Sequence, residues 1–81
     1  MSIEQVESLI AELVQRILAE RGQQAGPVNS QTRLLGGELD IDSLDLAAVV
    51  VELETRLGKD PFAGGFIEFR TVGELAALYV G

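Results

Sequence analysis

The chain has no cysteine and no histidine among its 81 residues. Without cysteine it has neither a disulfide framework nor thiolate chemistry of its own. Without either residue type the usual general bases and nucleophile partners are missing, and only carboxylates, Lys59 and Tyr79 remain to move protons. We therefore expect no catalytic residue in this chain and no activity as an enzyme.

Basic residues are also scarce, because 6 Lys and Arg stand against 13 Asp and Glu, for a net charge of −7. Nucleic-acid phosphates need Lys and Arg to neutralise them, so we exclude that partner. The charge instead favours partners that present basic patches. No apolar run approaches the roughly 18 residues needed to cross a bilayer, and the N-terminus lacks a secretion signal. We expect a monomer in the cytoplasm, without membrane contact.

What is present suits one small helical domain over residues 1–81, since 47% of the residues are hydrophobic. Ser2 and Gln5 form the pattern of a capping box, in which an N-cap side chain and the third helical residue exchange hydrogen bonds. A helix is predicted from there to about Arg21, with Gly22 ending it. Its apolar residues recur at helical spacing: Ile3, Val6, Leu9, Ile10, Leu13, Val14, Ile17 and Leu18.

A second helix is predicted from about Ser43 to Leu57. Asp42 is a good N-cap, Asp45 stands where a carboxylate reaches back to the cap, and Gly58 fits the left-handed position after the helix. The run from residue 46 to residue 51 is apolar almost all round, so this helix must be covered on more than one side, either within the domain or by a partner.

The remaining segments are a long connection, a weak helical turn and a final helix. Residues 22–39 form the connection, which four apolar side chains can pin across the helices: Val28, Leu34, Leu35 and Leu39. Residues 62–69 suit only a short, irregular helical turn, because two glycines weaken it. Thr71 and Glu74 form a third capping box, which opens a helix predicted to run through Val80. Four of its residues lie along one face: Val72, Leu75, Ala76 and Tyr79.

Ser43 stands among three aspartates, and four explanations compete for this pattern. A calcium loop would require oxygen ligands, a glycine and a glutamate at positions where this chain has none, so we expect no metal site. A catalytic serine would require a base, and the flanking acids raise the cost of an alkoxide. A simple helix start remains open, although Asp42 is the better cap. The fourth explanation is covalent modification of the hydroxyl by another enzyme.

The chain resembles an acyl or peptidyl carrier protein over nearly its whole length. The D-S-L core at the start of a helix, in a domain of this length and charge, is the specific part of the resemblance. The matching segments are residues 32–34, 39–45 with the D-S-L core, 51–54, 57–58, 71–72 and 76–80.

The resemblance implies an all-α fold, a right-handed antiparallel four-helix bundle with a short third helix. It implies that Ser43 carries 4′-phosphopantetheine, attached from coenzyme A by a phosphopantetheinyl transferase with magnesium. The arm would hold acyl or aminoacyl intermediates as thioesters for loading and condensing enzymes of fatty-acid, polyketide or nonribosomal-peptide-type biosynthesis. Five residues match positions that the family presents to partners: Asp42, Leu44, Asp45, Glu52 and Glu54. Capping also explains the two aspartates, and Leu44 would be either a docking or a core residue.

Two positions and one segment depart from the family pattern. Asp40 replaces a usual glycine, Ala48 replaces a usual acid, and residues 60–66 differ from the usual stretch. We infer a partner-facing surface that is less charged than in a fatty-acid carrier, and a specialised pathway. Two other functions remain as alternatives. One is a helical interaction module without a prosthetic group, and the other is non-covalent lipid transport.

Overall fold

The computed structural model describes residues 2–23, 26–35, 41–65 and 67–80. These residues form three α-helices, α1 (Ile3–Glu20), α2 (Ser43–Leu57) and α3 (Val72–Ala77). The described part contains no β-strand beyond one isolated bridge. The predicted all-α class is confirmed. None of the helices in the described residues has the length and apolar character that a membrane crossing requires.

All three helices begin with the predicted capping box. In each, the N-cap side chain accepts a hydrogen bond from the third helical N–H, and that residue's own side chain accepts one from the N-cap N–H. The pairs are Ser2 with Gln5, Asp42 with Asp45, and Thr71 with Glu74. The predicted glycines follow the first two helices, Gly22 at φ 75° and Gly58 at φ 68°, where a side chain would be strained. The sequence therefore located five of the six helix ends to within a residue.

The core lies between α1 and the two shorter helices, and α1 packs against both of them. Ile3 remains 40% exposed and Leu9 and Ile17 are half-buried, so the apolar stripe of α1 faces inward along its centre and is partly wet at its edges. The four residues predicted to share one face of the final helix are all buried. The core comprises Val6, Ile10, Leu13, Val14, Leu18, Leu34, Ile41, Leu46, Val49, Leu53, Val72, Leu75, Ala76 and Tyr79.

The connection between α1 and α2 is tied to the start of α3 by backbone hydrogen bonds. The Leu34 N–H donates to the Arg70 carbonyl at 2.9 Å, and the Val72 N–H donates to the Thr32 carbonyl at 3.0 Å. Arg33 and Thr71 thereby form an antiparallel bridge. We call these paired segments, residues 30–34 and 70–73, the short ladder. Residues 30–34 of the connection are therefore held in place by backbone hydrogen bonds.

The apolar residues predicted to pin the connection contribute unequally. Leu34 is fully buried, and Val28 packs against the core as a half-buried side chain. Leu35 is 44% exposed, so its expected pinning role was wrong. Leu39 lies outside the described residues. The backbone pairing of the short ladder therefore fixes this segment together with Leu34.

The final helix is shorter than predicted. α3 ends at Ala77 rather than at Val80, because the next two N–H groups bond three residues back instead of four. Leu78 donates to the Leu75 carbonyl at 3.1 Å, and Tyr79 donates to the Ala76 carbonyl at 3.0 Å. Such bonds tighten the last turn of a helix. The Tyr79 side chain is still buried, although it lies beyond the end of α3.

No helix forms between α2 and α3 in the part of this segment that the structure describes. Residues 61–64 form consecutive turns, in which Ala63 donates to the Asp60 carbonyl and Gly65 to the Phe62 carbonyl. Gly65 then takes φ 130°, a conformation that stops helix propagation. Phe66 lies outside the described residues. The irregular turn expected from the two glycines is present, while the four-helix arrangement is not confirmed.

Candidate functional site

Ser43 is the first residue of α2 and is exposed. The Asp42 side chain caps the helix, since its Oδ1 accepts the Asp45 N–H at 3.0 Å. Ser43 is therefore not needed as a cap. Within the described residues its hydroxyl has no hydrogen-bond partner. The predicted start of α2 at Ser43 is confirmed, and the exposure of this side chain favours modification over a simple capping role.

Asp45 is turned inward and bound on both carboxylate oxygens. Its Oδ2 accepts the Asp42 N–H at 3.0 Å, and its Oδ1 forms an ion pair with Arg21 Nη2. Only 12% of the Asp45 side chain is exposed. The hydrogen bond from Arg21, followed by that from the Asp42 backbone, lowers the pKa of Asp45 below its ordinary value of 3.8. Asp45 thus joins the end of α1 to the start of α2.

Arg21 was not among the residues that the sequence pointed to. It is the C-cap of α1 and lies 24 positions before its aspartate partner. Spacing rules for helices connect residues three or four apart, so no local pattern in the sequence predicts the pair of Arg21 with Asp45. The only signal was its place at the end of a predicted helix, where a cation also complements the helix dipole.

Leu44 is 79% exposed, so the alternative of a core residue is wrong for it. It begins an exposed apolar row on one face of α2, at helical spacing of three, four and seven residues. Val51, at the other end of the row, is 59% exposed. We call this row the α2 apolar strip, and it comprises Leu44, Ala47, Ala48 and Val51. The opposite face of α2 supplies its buried residues, and the described part of the chain covers the helix on that side alone. The second covered side that the sequence predicted is therefore not found within the described residues.

The two glutamates predicted for partner recognition lie farther from Ser43. At 1.5 Å per residue, Glu52 and Glu54 lie about 14 and 17 Å from Ser43 along the helix axis. Glu52 is paired with Arg56 at 3.1 Å between Oε2 and Nε. Glu54 is half-buried, and burial together with the nearby Asp60 carboxylate raises its pKa above 4.5. The structure therefore brings Asp42, Leu44 and Asp45 close to the serine, but not the glutamates.

Tyr79 carries the one buried side-chain polar atom without a hydrogen bond in the described part of the chain. Burial, with a smaller contribution from Glu54 and Asp60, raises the pKa of its phenol to about 12. The phenol is thus neutral at physiological pH. Asp40, which departs from the family pattern, lies outside the described residues.

A comparison with models of protein families identifies the family of this chain. A family model described as the phosphopantetheine attachment site matches residues 8–79. The chain belongs to the phosphopantetheine attachment site family. Comparisons with curated proteins and with solved structures found no match.

Membership in this family confirms the resemblance and the expected prosthetic group. Phosphopantetheine attachment domains bind 4′-phosphopantetheine covalently on a serine. They are generally non-catalytic carriers, and they generally interact with a phosphopantetheinyl transferase and with biosynthetic enzymes. The match supports a carrier role in general for this chain.

Proposed function

We propose that Ser43 carries the 4′-phosphopantetheine and that this domain, over residues 1–81, presents acyl or aminoacyl intermediates to biosynthetic enzymes. The observation that carries the proposal is the exposed Ser43 hydroxyl at the start of a 15-residue helix whose cap is already supplied by Asp42. A helix N-terminus leaves backbone N–H groups without intrahelical partners. A phosphodiester on Ser43 would stand beside such groups, which favour an anion.

Elimination among the serines supports the same residue. The family match contains Ser8, Ser30 and Ser43. Ser8 lies within α1, away from any helix start, and Ser30 lies in the short ladder, where its carbonyl accepts the Gly73 N–H at 2.8 Å. Ser43 is the one that combines exposure with a helix N-terminus, and it is the serine of the D-S-L motif.

The residues around Ser43 fit the role of a modified substrate. In the transfer, the Ser43 oxygen loses its proton and bonds to the phosphorus next to pantetheine, while the adenosine bisphosphate part of coenzyme A leaves. The base and the magnesium belong to the transferase in this proposal. When bound, the group supplies a thiol that this cysteine-free chain lacks, and that thiol holds the cargo as a thioester.

Partner recognition by the start of α2 is part of the proposal. Leu44 and Asp42 are exposed beside the serine, so an enzyme that reaches Ser43 would meet both. Glu52 and Glu54 would contact only a partner that covers three turns of α2. The four-helix arrangement, the monomeric state, the cytoplasmic location and the pathway type stay predictions from the sequence.

Intact-mass spectrometry tests the assignment. Co-expression with a broad-specificity phosphopantetheinyl transferase should add one phosphopantetheinyl group to the wild-type chain, and Ser43→Ala should abolish the addition. Ser8→Ala and Ser30→Ala are matched controls that should still be modified. A wild-type chain that stays unmodified contradicts the carrier role. Modification of the Ser43→Ala variant would show that another residue carries the phosphopantetheinyl group.

The exposed α2 apolar strip also supports a second candidate, a helical interaction module without a prosthetic group. That function predicts a stable complex with an unmodified chain, which Ser43→Ala would leave intact and Leu44→Asp would break. Failure of the mass test together with such binding would favour this candidate. Release of a non-covalent lipid by organic extraction would instead favour lipid transport.

A further inference from the structure

Modification of Ser43 would place a new negative charge in a turn that is already acidic. The phosphodiester of the arm is an anion, Asp42 is exposed next to Ser43, and Asp45 follows two residues later. Like charges at such short range repel each other. The direction in which the arm leaves the serine therefore depends on where a cation lies beside this turn.

Arg21 is a cation that the fold brings to this turn. Its Nη2 forms an ion pair with Oδ1 of Asp45, and Oδ2 of Asp45 accepts the N–H of Asp42 at 3.0 Å. Asp42 directly precedes Ser43, so two contacts lead from the guanidinium to the neighbour of the modified residue. The Arg21 side chain is 40% exposed, whereas that of Asp45 is 12% exposed. The part of this ion pair that faces solvent is therefore mainly the arginine.

The pair of Arg21 with Asp45 differs from the other ion pairs of the described residues. It joins α1 to α2 across 24 positions, whereas each of the others connects residues two or four apart in the chain. Those pairs are Glu12 with Arg16, Glu52 with Arg56, and Glu68 with Arg70. Among these arginines, Arg21 is the one whose acidic partner is supplied by tertiary structure rather than by its own segment.

The guanidinium of Arg21 suits a phosphodiester as a second partner. It is a planar fork of five N–H donors, which matches the oxygens of a phosphate and can serve two anions at once. Ser43 and Asp45 are about 3 Å apart along the axis of α2, at 1.5 Å per residue. A guanidinium that contacts Asp45 is therefore within reach of an anion on Ser43. Hydrogen bonds between two charged groups are also stronger than those between neutral groups.

We propose that Arg21 binds the phosphodiester of the arm while it keeps its ion pair with Asp45. The inference rests on the proposed function, because the phosphodiester exists only once Ser43 is modified. The root of the arm is then held at the junction of α1 and α2, and the motion that carries the thiol from one enzyme to the next begins beyond the phosphate. Arg21 is a positioning residue for the prosthetic group, and Asp45 fixes its guanidinium in place.

NMR spectroscopy of the modified chain tests this role of Arg21. Co-expression with a broad-specificity phosphopantetheinyl transferase supplies the protein, and its intact mass shows that it carries one group. In wild type we expect nuclear Overhauser effects between the side-chain protons of Arg21 and the arm protons next to the phosphate. Arg21→Gln should shift the ³¹P resonance of the phosphodiester and abolish the contact, because the guanidinium is lost.

Arg16→Gln is the matched control for this shift. It removes the same charge from α1, but Arg16 is paired with Glu12 and not with Asp45. The ³¹P resonance of this variant should stay at its wild-type position. Added salt should move the wild-type resonance toward that of Arg21→Gln, because the contact is partly exposed and ions screen it.

Two results would overturn the inference. They are the absence of nuclear Overhauser effects between Arg21 and the arm in the modified wild type, and equal ³¹P positions in Arg21→Gln and Arg16→Gln. The first requires no substitution, so it holds even if Arg21→Gln unfolds. Intact mass separates the two levels of failure. A modified chain without these effects contradicts the role of Arg21 alone, whereas a chain that takes up no group refutes the proposed function and this inference with it.

Discussion

Helices α2 and α3 begin with the same local structure and opposite surroundings. Asp42 and Thr71 are both extended N-caps with φ −117°, and each exchanges two hydrogen bonds with the third helical residue. The first helical residue is exposed Ser43 in α2 and fully buried Val72 in α3. The second is Leu44, 79% exposed, in α2, whereas in α3 it is Gly73, whose N–H donates to the Ser30 carbonyl within the short ladder.

The comparison shows that a capping box determines where a helix begins and not what its first turn is for. The start of α3 is covered by residues 30–34, whose carbonyls accept its N–H groups. Within the described residues, Arg21 ties down the start of α2 through Asp45, while Asp42, Ser43 and Leu44 are exposed. Long-range contacts, which differ between the two starts, therefore separate a structural helix start from the proposed site of modification.

The largest effect is expected at the second helical position of α3. A Cβ added to Gly73 would lie 2.9 Å from the Ser30 backbone oxygen, and backbone atoms of a hydrogen-bonded ladder cannot move aside cheaply. We expect Gly73→Ala to lower the free energy of unfolding by about 2 to 3 kcal/mol, as overpacking does. The midpoint of urea denaturation measures this loss of stability. An unchanged midpoint would show that the backbone of the short ladder shifts to accommodate the added methyl group.

The N-caps of α2 and α3 should contribute nearly equally to the free energy of unfolding. Asp42→Ala and Thr71→Ala each remove the side-chain acceptor of one helix, which costs about 1 kcal/mol. Denaturation of the two variants side by side measures the difference. If Thr71→Ala were several times more costly than Asp42→Ala, the start of α3 would depend on its cap as well as on the short ladder, and the comparison would need revision.

Local chemistry explains what the sequence predicted well. The three capping boxes and the glycines after α1 and α2 involve residues within four positions of each other, so spacing alone locates them. The pair of Arg21 with Asp45 and the exposure of Leu44 depend on how α1 and α2 meet, and no spacing rule contains that. The end of α3 was misplaced because residues 78–80 are apolar enough to continue a helix, and only the observed shorter-range hydrogen bonds show that they do not.

Leu44 should matter little for folding. Because its side chain is mostly in solvent, Leu44→Ala should change the free energy of unfolding by less than about 0.5 kcal/mol. Thermal or urea denaturation of Leu44→Ala beside Gly73→Ala compares the loss of stability at the second residue of α2 with that at the second residue of α3. A loss comparable to that of Gly73→Ala would mean that Leu44 supports the core, and it would weaken the proposed role of Leu44 in partner recognition.

The smallest effect is the acid dependence contributed by Asp45. Because the folded pKa is lowered below 3.8, ionised Asp45 stabilises the fold above its unfolded pKa, and that contribution is lost as the pH falls through the folded pKa. Asp45→Asn should therefore lose less stability than wild type between neutral pH and pH values below 3.8. Urea midpoints across this range measure it, and parallel curves for the two proteins would contradict the ion pair with Arg21.

The short ladder has a consequence for the order in which the chain folds. With six residues, α3 is too short to be stable by itself in water. Its first N–H groups find their partners about forty residues earlier in the chain, so a large loop must close before they are bonded. We expect α1 and α2 to form early and α3 to be added last, so that the C-terminal segment reports completion of the fold while the turn bearing Ser43 is already in place.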